Sequence, residues 1–228
     1  MQHRINLEEI SDGTLYTKND MVRIGCDGCD KTASCCRFAE DTITLDPYDI
    51  YQLQLAVGLS FEALYSKQLV ALSPVDGLLL PHLNFSTETG SCPFLLEHGR
   101  CSIHAHRPGL CRLFPLARLI DNNTVRYLIQ IHECPCSVTP KTKIKKWLDL
   151  PDIERYETYI IRWNEVLSET RRQLTLSVQN ERTADSSPSC TALTTLTTNF
   201  LRTYFFTPYD TSRSFYEQWE QRRTSPQT

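Results

Sequence analysis

The segment Cys26-Asp27-Gly28-Cys29-Asp30-Lys31-Thr32-Ala33-Ser34-Cys35-Cys36 holds the densest group of cysteines in this 228-residue chain. Ten cysteines are many for a chain of this length. Four lie in this segment, five follow between positions 92 and 136, and Cys190 stands alone near the C-terminal end. Those five are Cys92, Cys101, Cys111, Cys134 and Cys136. Cysteines this far apart are useful as ligands only if the fold collects them. We therefore expect Cys26–Cys36, Cys92–Cys111 and Cys134 to converge on one region.

The spacing within the segment favours metal binding. Two residues between Cys26 and Cys29 allow one turn to direct both sulfurs at one metal, as in zinc ribbons and iron–sulfur loops. The side chains of Cys35 and Cys36 diverge, so this pair would serve two metals, bridge two irons, or supply one ligand and one neighbouring thiol. Disulfides are the alternative, but they need an oxidising compartment. For Cys190, and to a lesser degree Cys136, the alternative is the role of a small buried apolar residue.

Charge and hydropathy limit the partners. The net charge of −3 offers no general attraction for nucleic acid or an anionic membrane. Residues 1–9 are polar and acidic, unlike a secretory leader, and no stretch reaches the roughly 20 apolar residues of a membrane span. We therefore expect a cytoplasmic protein. Four lysines between Lys141 and Lys146 read as the solvated face of a helix, with a docking patch for an acidic protein as the alternative.

Several local signals predict an α-rich α+β fold. Asp46-Pro47 begins a helix that ends near Gly58, and Ser60 caps another that includes Phe61 and Leu69. Leu78–Leu80 and Asn84-Phe85 read as short extended pieces around Pro81. Residues 116–120 and 125–131 flank Asp121-Asn122-Asn123 as a hairpin. This small antiparallel element is expected to support the second cysteine group.

The last third reads as helical. A cap and a proline at Thr139-Pro140 begin a helical region, and an apolar stripe runs from Ile153 to Leu167. Leu193 to Tyr204 and Phe215 to Trp219 predict two more helices. The expected organisation is a metal-binding domain over 1–137, a helical extension over 138–178, a polar linker over 179–190 and C-terminal helices over 191–228.

The ordered motifs resemble those of the YkgJ-type, or CxxCxxCC, cysteine-cluster family. They are Cys26–Cys36, Cys92-Pro93-Phe94-Leu95, Gly99-Arg100-Cys101-Ser102-Ile103-His104 and Arg107-Pro108 with Cys111-Arg112 and Pro115. The resemblance covers about residues 22–137. Zinc or iron chelation is the role suggested for this family, and flagellin lysine N-methylase shares the domain. The resemblance implies up to eight ligands: Cys26, Cys29, Cys35, Cys36, Cys92, Cys101, Cys111 and Cys134.

The chain departs from the family pattern at one point. Five residues separate Cys29 from Cys35, where the family has two. This longer loop puts the role of Cys29 in doubt. Cys136 is a further candidate beside the ligands.

Charged and nitrogen-bearing side chains accompany the cysteines. Four thiolates around Zn²⁺, or around a [4Fe–4S]²⁺ cluster, leave a charge of about −2. Arg107 and Arg112 are candidates to offset it or to donate hydrogen bonds near it, and pairing with surface carboxylates is their alternative. Further candidates to bind the metal, through a ring nitrogen, are His104, His106 and His132.

Thiolate ligands suit both zinc and iron–sulfur clusters. The adjacent pair and the many single cysteines favour iron–sulfur, since a structural zinc site needs only four ligands. The sequence lacks the glycine-rich phosphate loops and the C-x3-C-x2-C spacing of radical enzymes. Three functions stay open: an iron–sulfur protein in redox chemistry or protein modification, a zinc-stabilised binding module, and a metal-handling protein. Whether the chain is an enzyme, and whether it has a protein partner, is left open.

Overall fold

Short two-stranded sheets and helices of very different lengths make up the fold. The computed structural model describes residues 7–24, 36–37, 39, 41–131, 140–183 and 190–225. The helices are α1 Leu7–Ile10, α2 Pro47–Val57, α3 Phe61–Ser66, α4 Gly109–Leu113, α5 Ile144–Leu148, α6 Ile153–Thr183, α7 Cys190–Leu201 and α8 Phe215–Thr224. The strands are β1 Met21–Arg23, β2 Val70–Val75, β3 Leu78–Leu83, β4 Leu116–Asp121, β5 Thr124–Ile129 and β6 Lys141–Lys143. All strand pairs are antiparallel. The predicted α+β class is confirmed.

The two predicted helices after the first cysteine group are present, but the second ends at Ser66 and does not include Leu69 as predicted. The Asp46 carboxylate accepts the Asp49 backbone N–H at 2.9 Å, and the Asp49 carboxylate accepts the Asp46 N–H at 3.1 Å. This reciprocal capping fixes the start of α2, and Gly58 ends it in the left-handed conformation. Ser60 caps α3 through the Ala63 N–H.

The hairpin β4–β5 is present as predicted. Its turn residues Asn122 and Asn123 both have positive φ, as a two-residue turn between antiparallel strands requires.

The second hairpin differs from the expectation. β3 runs continuously through Pro81 and ends at Leu83, so the predicted piece Asn84-Phe85 is not part of a strand. It pairs with β2, for which no strand was predicted. A proline fits here because the backbone of Pro81 faces away from β2, so no hydrogen bond to β2 is lost at this position. The Pro81 carbonyl still accepts the Leu45 N–H at 2.8 Å.

The lysine-rich segment is only partly helical, which corrects the prediction of a helix from Pro140. Lys141 and Lys143 lie on β6, which pairs with β1, and only Lys145 and Lys146 lie on α5. All four lysines are exposed. A strand forms because Thr142 pairs with the buried Val22.

The predicted C-terminal helices are present, and α7 continues into a turn of π-helix at Arg202–Phe206. A large aromatic core joins α2, α6, the π-turn and α8, with Tyr159, Trp219 and Phe205 among its most buried members. A smaller core joins β1, β4, β5 and α5. Of the predicted linker, 179–183 belong to α6 and 184–189 lie outside the described residues. The domain limits stay a prediction. Among the described residues, no helix is both long and apolar enough to cross a membrane.

Candidate metal centre

Four of the predicted ligands line a single cavity. Cys36, Cys92, Cys101 and Cys111 all contribute to the wall of a cavity of about 670 Å³. Cys92 is buried and the other three are half-buried. The remaining candidates, Cys26, Cys29, Cys35, Cys134 and Cys136, lie outside the described residues. The fold thus collects cysteines that are separated by up to 75 positions, from Cys36 to Cys111.

A compact loop sets the positions of Cys92 and Cys101. Leu95 pairs with Cys101, and the Leu96 N–H donates to the Arg100 carbonyl at 2.8 Å. Gly99 turns the loop with φ +82°, a conformation that favours glycine. The loop is joined to the first cysteine group because the Cys92 N–H donates to the Cys36 carbonyl at 2.9 Å.

One backbone group is directed at a sulfur. The Phe94 N–H lies 3.5 Å from the Cys92 sulfur and donates to it. Hydrogen bonds of this kind stabilise the thiolate form and tune the metal–sulfur bond. The Cys92-Pro93-Phe94 motif therefore supplies both a ligand candidate and a donor to it.

Cys111 lies on the short helix α4, whose start is held from two sides. The Gly109 N–H donates to the Asp49 carboxylate at 2.8 Å, across 60 positions of sequence. On the other side, a methyl group at Gly109 would lie 2.4 Å from the Tyr156 hydroxyl. Glycine is thus the residue that allows α4 to lie against α6, and this contact places Cys111.

Arg112 is buried and joins separate backbone segments through hydrogen bonds. It is 4% exposed, and its guanidinium donates to the carbonyls of Arg107, Ala105, Leu148 and Asp149. The alternative of a surface arginine paired with a carboxylate is wrong for this residue. Its contacts join the 3₁₀ turn His104–His106 to the end of α5.

Arg107 lies on the wall of the cavity that the cysteines line. Its Nη1 donates to the His104 carbonyl at 3.2 Å. Burial lowers the pKa of Arg107 and Arg112 lowers it further, whereas Asp149, Cys111 and Cys101 act to raise it. Arg107 thus shares the cavity wall with these two cysteines.

The histidines differ in their surroundings. Burial lowers the pKa of His104, and the charges of Arg107 and Arg112 lower it further, so the neutral ring is favoured. The neutral imidazole is the form that binds metals. His106 is engaged elsewhere, since its Nδ1 lies 2.9 Å from the Gln52 side-chain oxygen. His132 lies outside the described residues.

A family model matches residues 25–153, which is more than half of the chain. The chain belongs to the CxxCxxCC family. This family is described as a "putative zinc- or iron-chelating domain". The match reaches beyond the expected region 22–137 and includes α5, which carries Trp147. No curated protein and no solved structure matches the chain.

The donor chemistry fits the CxxCxxCC description, because thiolates bind both zinc and iron. Within the described ranges, however, no three side chains of His, Cys, Asp or Glu lie close enough together to hold a metal ion. The four cavity cysteines do not form a metal site by themselves, and their role as ligands stays a prediction.

Three residues of this CxxCxxCC site were missed by sequence reasoning. Trp147 and Phe114 line the cavity, and Asp49 positions α4. Trp147 has the spacing of an apolar residue on a short helix, and Asp49 stands at the third position of α2, where capping residues are usual. Neither carries a sequence signal of its wider contact.

Proposed function

We propose that this chain binds an iron–sulfur cluster through cysteine thiolates and serves in redox chemistry or protein modification. The observation that carries the proposal is the cavity shared by Cys36, Cys92, Cys101 and Cys111. Family membership supports metal chelation in general. The ligands in this proposal are these four cysteines together with Cys26, Cys29, Cys35 and Cys134.

The size of the cavity favours a cluster over a single ion. A structural zinc site is closed by its four ligands. The cavity of about 670 Å³ is far larger than the roughly 30 Å³ that one water occupies in the liquid. A cluster of several irons and sulfides needs such additional space.

The surroundings suit a negatively charged cluster. When bound, the cluster would supply one-electron transfer. The Phe94 N–H would hold the Cys92 sulfur, and the Arg107 guanidinium would offset part of the thiolate charge. Arg112 would keep the segment that carries Arg107 in place, since it donates to the Arg107 carbonyl at 3.1 Å.

The test is anaerobic purification followed by analysis of iron, sulfide and zinc. We expect iron and sulfide in stoichiometric amounts and broad absorption near about 400 nm that dithionite bleaches. Cys36→Ser should lose most of the iron. Cys190→Ser is the matched control, because Cys190 stands apart from the other cysteines in sequence, and it should keep the iron.

Stoichiometric zinc without sulfide would overturn the iron–sulfur assignment. The chain would then be a zinc-stabilised binding module if the zinc exchanges slowly, or a metal-handling protein if it exchanges quickly.

A further inference from the structure

The small sheet formed by β1 and β6 has one exposed, basic face. Arg23 of β1 lies opposite Lys141 of β6, and Met21 lies opposite Lys143. Side chains alternate between the two faces of a strand, and Val22, between Met21 and Arg23, is buried. The outward face therefore carries three cations and one apolar side chain, all of them exposed. We call Met21, Arg23, Lys141 and Lys143 the basic face.

The cations of the basic face have no counter-charge in the part of the chain that the structure describes. None of the ion pairs there involves Arg23, Lys141 or Lys143. The carboxylate just before β1, Asp20, accepts the N–H of Thr17 at 2.7 Å and its hydroxyl at 2.8 Å instead. Like charges directly opposite each other in a sheet are unfavourable. An anionic group on the basic face would therefore relieve the repulsion between Arg23 and Lys141.

The rest of the chain has the opposite charge. The sequence holds 24 basic and 27 acidic residues, and Arg23 together with the four lysines between Lys141 and Lys146 makes five of the basic ones. Without these five the net charge is −8 instead of −3. A long polyanion, such as duplex nucleic acid or an anionic membrane, would also meet this acidic remainder. A short acidic segment can lie on the basic face alone.

Met21 favours a protein as the occupant. Its side chain is 53% exposed and lies on the same face as the three cations. Methionine is enriched at protein interfaces, where apolar contacts are surrounded by polar ones. Surfaces that bind single-stranded nucleic acid stack its bases on aromatic side chains, and none of the four residues of the basic face is aromatic.

We propose that the basic face is a docking site for an acidic segment of a partner protein, in which carboxylates flank an apolar side chain. The carboxylates pair with Arg23, Lys141 and Lys143, and the apolar side chain contacts Met21. Thr142, from the same strand as the two lysines, lines the cavity with the cysteines. The inference rests on the proposed function only for one consequence, namely that the docked partner lies beside the metal-binding cysteines.

The test measures the binding of a fluorescent peptide to the full chain by anisotropy. The peptide has about ten residues, all glutamate except for one central leucine, so that it offers both charge and an apolar side chain. We expect a dissociation constant of about 10–100 µM at low ionic strength, rising about fivefold or more when about 0.2 M salt is added.

Variants assign the contacts. Lys141→Gln combined with Lys143→Gln should weaken binding about tenfold. Lys67→Gln combined with Arg202→Gln is the matched control, because it removes the same charge from exposed positions outside the basic face, and it should change binding less than about twofold. Met21→Ser leaves the charge unchanged and should weaken binding about threefold, since it removes the apolar contact.

Thermal melts of the same variants show whether the lysines serve binding or folding. Lys141→Gln removes the charge opposite Arg23, so its melting temperature should rise by about 1–2 °C while its binding weakens. A lower melting temperature together with weaker binding would show that Lys141 supports the strand pair, and it would overturn the inference.

Two further results would contradict the docking site. Equal weakening by the basic-face variants and by their control would mean a general attraction between charges. Tighter binding of a short DNA duplex, or of vesicles that contain phosphatidylserine, through the same residues would assign the face to another class of partner.

Metal analysis of the same samples separates this inference from the proposed function. Peptide binding that depends on the basic face, in a protein without thiolate-bound metal, supports the inference and overturns the metal function. Stoichiometric iron and sulfide without such binding overturns the inference and leaves the metal function standing.

Discussion

At the scale of single residues, Asp49 shows how one carboxylate connects distant parts of the chain. It is buried, caps its own helix through the Asp46 N–H and accepts the Gly109 N–H that begins α4. Burial raises the pKa of Asp49 well above its ordinary value, and the nearby Asp46 carboxylate raises it further. The hydrogen bonds from the Asp46 and Gly109 N–H groups act to lower this pKa, and so, to a smaller extent, does the charge of Arg118. The folded protein thus favours the protonated form of this carboxyl group.

This raised pKa predicts a pH dependence of stability. The folded state holds the Asp49 proton more tightly than the unfolded chain, where the pKa is about 3.9. The Asp49 contribution to the free energy of unfolding is therefore fully present below about pH 4 and is lost as pH rises towards the folded pKa. The slope from one such group is at most about 1.4 kcal/mol per pH unit. Asp49→Asn cannot ionise and should show a smaller decline in urea unfolding between about pH 4.5 and 7.5.

Asp41→Asn is the control for this measurement because Asp41 is exposed. It should keep the wild-type decline. Identical slopes for Asp49→Asn and the wild-type protein would show that the Asp49 proton does not govern this part of the pH profile.

At the scale of elements, the position of α4 depends on Gly109, which has no side chain and so leaves room for the Tyr156 hydroxyl. The Tyr156 hydroxyl occupies the space next to Gly109, and Arg118 donates to that hydroxyl at 3.3 Å. The next nearest atoms, the Asp49 oxygen and the Tyr156 ring carbon, lie at 3.6 and 3.7 Å from an added methyl group. These two are ordinary van der Waals contacts, so the hydroxyl alone causes the clash.

A double-mutant cycle tests this contact. Gly109→Ala should lower the free energy of unfolding by about 1–3 kcal/mol, as overpacking does. Tyr156→Phe removes the hydroxyl, so adding it to Gly109→Ala should recover part of the loss instead of adding to it. Urea unfolding of the two single variants and the double variant gives the coupling. Simple additivity would mean that α4 moves away from Tyr156 at little cost.

Elements with a local cause were predictable from the sequence, whereas those with a distant cause were not. Asp46-Pro47 and Asn122-Asn123 determine a helix start and a turn through their own chemistry, and both are present as predicted. β2 was missed because its apolar residues continue the spacing of α3 and its partner strand contains Pro81. β6 was read as helix because its partner, β1, lies 120 positions earlier, from Met21 to Lys141. Strand pairing over such a distance has no local signal.

At the scale of the whole molecule, the candidate site and the main core share side chains. Cys92 belongs to the core, and Cys36, Cys101 and Cys111 pack against it. The same core includes Tyr159 of α6 and Trp219 of α8. Any repulsion among the thiolates is thus transmitted to the packing of the C-terminal helices.

Metal removal should therefore lower thermal stability. Thiolates held close together without a cation repel one another, and the free energy of metal binding is part of the free energy of folding. For a chain of this size, each kcal/mol lost lowers the melting temperature by about 2–4 °C. Circular dichroism melts before and after chelation, with metal content verified, measure the change. Without chelator, Cys36→Ser should already melt at the temperature of the chelated wild-type protein. Cys190→Ser should respond to chelation as the wild-type protein does.

An unchanged melt after verified removal would show that the metal was bound adventitiously. Restoring the melting temperature by returning the metal is the positive control.

The candidate site could be predicted from the sequence only in its ligand types. The cysteine motifs identified the family, and four of the cysteines line one cavity. The cavity positions of Phe114 and Trp147 could not be predicted, since apolar residues have the same sequence pattern whether they fill a core or line a cavity. The prediction that all eight cysteines meet stays open at Cys26, Cys29, Cys35 and Cys134.

The contacts of Arg112 affect how the protein tolerates substitution. All four of its acceptors are backbone carbonyls, which every amino acid possesses. In a library of single substitutions, changes at the exposed residues Ala105 and Asp149 would leave these hydrogen bonds in place, whereas every replacement of Arg112 would remove them. The junction therefore tolerates change at these two contacted positions and not at the arginine.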